Sequence, residues 1–233
     1  MNKVKKKLED TRRLIENTKN KITALDFDAH WYRRVFHAFG ACFLIYYLLP
    51  DVEWINNIKL IIPPILVVIA ISIEILRLKG KISSDHFFGL RMYEKNRVGS
   101  YVFFSVGILI LLMLPWQGIA IPCILCACLG DPIIGEVRIH FGKMYSYALG
   151  FLVCMLFFML VWHTFDLSFV VPISIVGGLG AIIGESKKFW WIDDDFMIQI
   201  LPAILLIIIW LSASYLGLNL PPDQIITPAE MPW

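Results

Sequence analysis

Charged residues are scarce in this sequence. Asp, Glu, Lys and Arg make up 17% of its 233 residues, whereas hydrophobic residues make up 58% and the mean hydropathy is +0.69. A soluble domain usually carries about a quarter charged residues. Because the apolar residues also form long continuous runs, the composition excludes an ordinary soluble domain and predicts an integral membrane protein.

Several motifs of soluble enzymes are absent. The sequence has no phosphate-binding G-x-x-x-x-G-K-[ST] loop, no G-x-G-x-x-G turn and no Ser-His-Asp arrangement at a recognisable nucleophile elbow. A soluble nucleotide-binding fold is therefore not indicated. A nucleic-acid role is not indicated either, because the basic residues follow the predicted membrane face instead of marking a soluble domain.

Cysteine is sparse and shows no metal-binding pattern. The five cysteines all lie inside apolar runs: Cys42, Cys123, Cys126, Cys128 and Cys154. The spacing Cys-x-x-Cys-x-Cys in 123–128 looks like a metal knuckle, but no second ligand pair follows at zinc spacing. Small residues buried in helix contacts are the favoured interpretation, and disulfides are not implied.

The first thirty residues contain no apolar run, so no cleavable signal segment is expected there. Residues 1–30 form a basic, helix-prone arm with apolar residues at roughly helical spacing: Val4, Leu8, Ile15, Ile22 and Leu25. Two interpretations are open. The arm is an amphipathic helix on an anionic membrane surface, or it is a solvated helix or short coiled coil.

Seven apolar segments are candidate spans of an all-α membrane domain at 31–217, which a short tail follows at 218–233. The segments are Val35–Leu49, Ile58–Leu76, Tyr101–Leu114, Ile119–Leu129, Tyr147–His163, Phe169–Ile183 and Phe196–Leu216. About 20 residues are needed to cross a bilayer. The third and fourth segments are short, so they are predicted to be tilted, broken or re-entrant.

The basic residues predict the orientation of these segments. With the N-terminus in the cytoplasm, every one of the 21 Lys and Arg residues except Lys59 falls on the cytoplasmic side. The opposite loops are short and carry acids such as Asp51, Glu53 and Asp166. We therefore expect about seven spans and an extracytoplasmic C-terminus, in a prokaryotic plasma membrane or an endoplasmic reticulum.

Four polar clusters fall on the predicted cytoplasmic face: 30–37, 91–100, 131–143 and 185–195. Each contains basic residues, acidic residues or both. One aqueous pocket at this face would collect cations for phosphates and carboxylates for a divalent metal ion. Phosphoryl transfer needs these parts, together with an acid that orients or deprotonates the acceptor hydroxyl.

Asp131 follows the fourth apolar run directly and is flanked by Gly130 and Pro132. These neighbours predict that the helix ends here and that a mixed loop follows, up to Lys143. A carboxylate at this depth is costly unless it faces water, a cation or a metal ion. The alternative is an ordinary Gly-Asp-Pro turn that caps the next helix.

The clusters contain short motifs in a fixed order. They are Arg33-Arg34-Val35-Phe36-His37, Glu94-Lys95-Asn96-Arg97-Val98-Gly99, Gly130-Asp131-Pro132, Gly142-Lys143, Glu185-Ser186 and Asp193-Asp194-Asp195. In this order, over roughly 33–199, the chain resembles the CTP-dependent lipid kinases: dolichol kinases, the yeast-type diacylglycerol kinase and phytol kinases. That family is related to the phosphatidate cytidylyltransferases.

The resemblance implies three groups of site residues. Asp131, Glu94 and Asp194 would be catalytic. Nucleotide or phosphate binding would fall to Arg33, Arg34, His37, Arg97, Arg138, Gly142 and Lys143. Mg²⁺ would be held by Asp131, Glu185, Asp194 and Asp195. Guanidinium groups suit phosphate oxygens, and carboxylates suit Mg²⁺.

Each of these roles has a structural alternative. The arginines would serve as membrane anchors, His37 as a packed residue, Glu94 as an ion-pair partner and the aspartates of 193–195 as a solvated loop. The chain also departs from the family pattern. A usual glycine is Arg138, the expected Asn and Pro are Asp195 and Gln199, and the Lys-Thr-x-Glu-Gly stretch near 143–150 is largely missing.

The sequence is thus expected to encode a lipid kinase that transfers the γ-phosphoryl group of CTP, with Mg²⁺, to a membrane alcohol. The acceptor would be an isoprenoid alcohol or a diacyl- or dialkylglycerol, arriving from the bilayer. One alternative is cytidylyl transfer onto a lipid phosphate, and another is a transporter or scaffold without chemistry. A homo-oligomer is left open.

The predicted topology can be tested by labelling of single cysteines from either side of sealed vesicles. Positions in 77–97 and 186–192 should react only from the cytoplasmic side, and positions in 52–57 only from the opposite side. If the loop at 91–97 reacts from outside, the orientation is wrong, and the four clusters do not share one aqueous face.

Overall fold

A computed structural model describes residues 31–84, 87, 90, 92–186, 192–218 and 224–230. The predicted amphipathic arm at 1–30 lies outside these residues, as do 187–191 of the last polar cluster. The described residues are helical, with connecting turns, and contain no β-strand. An all-α architecture is confirmed for this part of the chain.

The helices are numbered here in chain order. Helix α1 covers 31–48 and contains a 3₁₀ stretch, Gly40–Leu44, followed by Ile45–Leu48. The others are α2 (Glu53–Leu78), α3 (Ser100–Leu112), α4 (Gln117–Phe141), α5 (Lys143–Val161), α6 (Leu167–Ser186) and α7 (Asp194–Tyr215). A short 3₁₀ helix, Met92–Asn96, lies in the connection between α2 and α3.

Five of the described helices are long and apolar enough to cross a membrane, namely α2, α4, α5, α6 and α7. Helix α3 is apolar but has only 13 residues. A membrane protein is therefore supported, while the count of seven spans stays a prediction. The last helix ends at Tyr215, close to the predicted boundary of the membrane domain.

The predicted loop after Asp131 is wrong. Residues Asp131–Phe141 are helical and continue α4 through a π-helical turn, Cys126–Gly130. Proline lacks an N–H and normally ends a helix, but it is accepted in the first turn. Pro132 occupies such a position directly after the wide π turn, so the chain passes Gly130 without leaving the helix.

Helix α4 lies at the centre of the bundle. About 67% of its most apolar stretch is buried, against 11% for α2, which is therefore a peripheral helix. Ile119, Ile124, Phe158 and Trp162 are fully buried around it. Apolar contact between helices in a membrane depends on close packing, because lipid is as apolar as the side chains.

Helices α6 and α7 approach each other most closely, because small residues line their contact. A Cβ atom at Gly184 would collide with the backbone carbonyl of Met197, and one at Gly180 would lie 2.9 Å from Cα of Pro202. This packing matches the use of small residues at interfaces in membranes. It places the end of α6 beside the start of α7, where the acidic residues lie.

Candidate functional site

His37 lies between two aspartates that come from different helices. Its Nδ1 is 3.6 Å from Oδ2 of Asp131 on α4, and its Nε2 is 3.6 Å from Oδ2 of Asp195 on α7. The imidazole ring also packs against Phe104 of α3, with 4.7 Å between the ring centres. Four helices therefore meet at this histidine, which is almost fully buried.

The local sequence explains how the two aspartates reach the histidine. Asp131 directly follows the π turn of α4, and such turns frequently occur at functional sites. Asp195 lies in the first turn of α7, where the helix dipole favours a negative charge. Its side chain is buried, and its Oδ1 has no hydrogen-bond partner within the described part of the chain.

Three arginines connect the helices around this centre. Arg33 Nη2 of α1 lies 3.4 Å from Asp195 Oδ2 of α7. Arg34, also of α1, forms an ion pair with Glu136 of α4. These two pairs join α1 to both helices that carry the aspartates.

The third arginine lies on α4. Arg138 donates to Glu185 of α6, with 2.6 Å between Nη2 and Oε1. Its guanidinium group also lies over the ring of Tyr147, 5.5 Å from the ring centre. Because the Glu185 side chain is only 2% exposed, Arg138 supplies the neutralising charge that a buried carboxylate requires.

A small polar cavity of about 150 Å³ opens between these side chains. Its wall includes seven of the residues predicted from the sequence: Arg33, Arg34, His37, Asp131, Arg138, Glu185 and Asp194. The helices thus bring together the residues that were placed in the first, third and fourth polar clusters. Cations and carboxylates alternate around one concave surface, which suits a ligand that carries phosphate and a metal ion.

A second, larger cavity of about 440 Å³ lies beside the first. It is a mainly apolar groove between α1, α2 and α3, with Leu66, Ile69 and Ile73 of α2 on one side. Arg33 and His37 border both cavities. Glu94, a predicted catalytic residue, borders only this groove and is buried at 1% exposure.

Three predicted phosphate-binding residues lie apart from both cavities. Arg97 is exposed, and its backbone carbonyl accepts a hydrogen bond from Arg77. Gly142 joins α4 to α5 with a φ of +85°, a left-handed conformation that favours glycine. Lys143 is exposed and lies over the ring of Tyr147. Gly142 therefore has a turn-forming role in this structure.

The donor set around His37 fits a divalent cation. One ligand atom each from His37, Asp131 and Asp195 can be chosen so that all three lie within 4.8 Å of one another. The same holds for Asp193, Asp194 and Asp195. Of the predicted metal ligands, Asp131, Asp194 and Asp195 belong to these groups, whereas Glu185 is bonded to Arg138.

Several side chains at the site did not stand out in the sequence. Glu136 pairs with Arg34. Gln199, fully buried, donates to the carbonyls of Asp195 and Phe104, at 2.9 and 3.3 Å. Gln199 lies one helical turn after Asp195 in an otherwise apolar run. A polar residue at that spacing is a usable signal, because it shares a face with the acid.

Comparison with known proteins gives no relative: no family model, curated protein or solved structure matches the chain. The resemblance to the CTP-dependent lipid kinases therefore stays a prediction that rests on the short motifs. The candidate site is defined by its own geometry.

The ion pair between Arg138 and Glu185 can be tested by stability. Arg138→Leu should lower the free energy of unfolding by about 1–3 kcal/mol, because it leaves a buried carboxylate without its charged hydrogen-bond donor. Adding Glu185→Gln to Arg138→Leu should recover part of this loss. The measurement is thermal unfolding of the purified protein in one detergent.

Lys143→Leu is the matched control, since it removes an exposed basic residue five positions along the chain. We expect a change within about 0.5 kcal/mol. Purely additive effects of Arg138→Leu and Glu185→Gln would contradict the pairing.

Proposed function

We propose that the chain is a lipid kinase, which transfers the γ-phosphoryl group of CTP to the hydroxyl of a membrane alcohol. One observation carries this proposal: the polar cavity and the apolar groove share Arg33 and His37 as a common border. A reaction between a charged, water-soluble donor and an apolar acceptor needs two such compartments that meet at one polar point. The proposal places that point at the cytoplasmic membrane face.

The apolar groove suits the acceptor. Its α2 wall belongs to a helix whose side chains are mostly exposed, including Leu66 and Ile69, and which is long and apolar enough to cross a membrane. An isoprenoid alcohol, or a diacyl- or dialkylglycerol, would enter this groove from the bilayer. Its single hydroxyl would then point toward His37 and the polar cavity, since the groove offers mainly apolar contacts elsewhere.

The polar cavity suits the phosphates of the donor. Arg33, Arg34 and Arg138 border it, and a guanidinium group binds phosphate oxygens with parallel hydrogen bonds. Each arginine is also paired with a carboxylate. A nucleotide would exchange these contacts for phosphate contacts, and the pairs would hold the arginines in position before it binds.

Mg²⁺ is the proposed cofactor. Asp131 and Asp195 would supply the carboxylate oxygens that this ion prefers, and Asp195 Oδ1 is buried without a hydrogen-bond partner in the described residues. When bound, the ion would neutralise the charge that develops on the phosphate oxygens. His37 would then orient both carboxylates through its two ring nitrogens.

The residues of the chain divide the remaining work. Asp131 would orient the acceptor hydroxyl and accept its proton as the oxygen attacks the γ-phosphorus. The bond from the γ-phosphorus to the bridging oxygen would break, and CDP would leave. The arginines would hold the phosphates in line with the hydroxyl, so most of the rate enhancement would come from positioning and charge.

The direct experiment incubates purified protein with Mg²⁺, CTP or ATP, and a panel of lipid alcohols, and detects phosphorylated lipid by mass. CTP labelled at the γ-phosphate should transfer label to the lipid, whereas CTP labelled at the α-phosphate should not. Transfer of the α label onto a lipid phosphate would identify a cytidylyltransferase. Turnover with neither substrate type would favour a transporter or scaffold.

Asp131→Asn should reduce turnover by about 10²-fold or more, the scale expected for one catalytic group. The substitution keeps size and most hydrogen bonding but removes the charge, so the protein should fold and insert normally. Turnover is measured at saturating CTP and lipid alcohol. Near-native turnover would show that Asp131 is only a structural residue, because Asn caps a helix nearly as well as Asp.

Asp166→Asn is the matched control. Asp166 lies in the connection before α6, where its carboxylate accepts a hydrogen bond from the backbone N–H of Ser168. This connection is at the opposite end of α6 from Glu185. The control should keep turnover within about twofold, as is usual for a surface substitution.

A further inference from the structure

Glu74 and Arg77 form a buried ion pair near the end of α2, which is otherwise apolar. They are 2% and 3% exposed. The guanidinium group binds both carboxylate oxygens, with 2.7 Å from Nε to Oε2 and 2.7 Å from Nη2 to Oε1. Such a pair is costly to bury in a membrane helix unless its remaining donors and acceptors are also bonded.

The other donors of Arg77 bind backbone oxygens of the connection between α2 and α3. Nη2 donates to the carbonyls of Glu94 and Arg97, at 3.1 and 2.6 Å, and Nη1 donates to that of Lys95 at 3.0 Å. These carbonyls belong to the short 3₁₀ helix Met92–Asn96 and the residue after it. Carbonyls at a helix end need partners from outside, and one side chain supplies them here.

Glu74 fixes the next part of the same connection. Its Oε1 accepts a hydrogen bond from the backbone N–H of Gly99 at 2.5 Å, and its Oε2 accepts one from the hydroxyl of Tyr101 at 2.8 Å. The ring of Tyr101 stacks on Phe87, with 6.1 Å between the ring centres. The pair thus determines where both aromatic rings lie.

The segment held in this way forms one wall of the apolar groove. Phe87, Glu94, Ser100 and Tyr101 all border it, opposite Arg33 and His37. Helix α2 makes little other contact with the bundle, since only 11% of its apolar stretch is buried. Without the pair, this wall would have few contacts to keep it against α2.

We propose that Glu74 and Arg77 are positioning residues that hold this wall, and that they thereby set the affinity of the groove for the lipid acceptor. This inference rests on the proposed function of the groove. Neither side chain borders either cavity, so the pair acts through the connection that it binds. Lysine cannot replace Arg77, because a single ammonium group cannot bind the carboxylate and three carbonyls in a fixed plane.

The test measures the position of the wall without requiring turnover. Ser100, buried at the start of α3 and bordering the groove, is changed to cysteine in full-length protein that also carries Cys42→Ser. Cys42 is exposed and the other four cysteines are buried. Labelling of residue 100 with a maleimide should accelerate at least about tenfold in Arg77→Lys, which loses several hydrogen bonds to a charged group.

Tyr101→Phe removes only the hydroxyl that donates to Glu74, and it should give a smaller acceleration. It also carries the test if Arg77→Lys does not fold. Ser72→Ala is the matched control on the same helix, because Ser72 is exposed and its hydroxyl binds the carbonyl of Val68 in α2 itself. The control should label like the parent protein.

A second measurement uses proteins with Ser100 intact. Arg77→Lys should raise the KM for the lipid alcohol at least about fivefold, by the same loss of hydrogen bonds, and leave the KM for CTP unchanged. An equal rise in both constants, or labelling of Arg77→Lys and Tyr101→Phe at the rate of Ser72→Ala, would overturn the positioning role. Failure of the proposed function has a different signature, since no variant and not even the parent would then phosphorylate lipid, while the labelling rates would still decide whether the pair holds the wall.

Discussion

Neutralisation of buried carboxylates is the constraint on which this structure depends. Asp195, Glu185 and Glu74 are nearly inaccessible in an apolar bundle, where an unpaired charge would cost several kcal/mol. Each acid is met by a cation: Arg33 and His37 for Asp195, Arg138 for Glu185 and Arg77 for Glu74. For Asp195 and Glu185 the cation comes from another helix. These pairs therefore fix how the polar ends of α1, α4, α6 and α7 meet.

The same pairs keep the polar cavity accessible to a charged ligand. If hydrophobic residues replaced them, the helix ends would close on each other as the central part of α4 does around Ile119 and Ile124. The imidazole of His37 separates Asp131 from Asp195, which would otherwise repel each other at short range. Stability and chemistry thus depend on the same side chains, and one end of the bundle carries both.

The two cavities differ because their walls differ in depth within the bundle. Helices α4, α6 and α7 are packed closely through small residues such as Gly184, so only polar helix ends border the small cavity. Helix α2 is peripheral, and its apolar side chains border the larger groove. The connection that carries Glu94 joins α2 to α3 and closes this groove. Its position depends on Arg77, which binds three of its carbonyls.

The sequence by itself determined the class of the protein and most of the candidate site. Long apolar runs require helices in a membrane, and polar residues at their ends predicted that Arg33, His37, Asp131, Glu185 and Asp194 would lie on one face. Only the tertiary structure decided which of them meet. Whether Asp131 ends a helix depends on the π turn at Cys126–Gly130, which is set by packing around α4 and leaves no distinct pattern in the residues. Likewise, Arg97 and Lys143 look equivalent to Arg33 in sequence, but their helix and turn positions direct them away from both cavities. Contacts between distant segments made that choice, because the side of a helix that becomes buried depends on its neighbours as well as on its own residues.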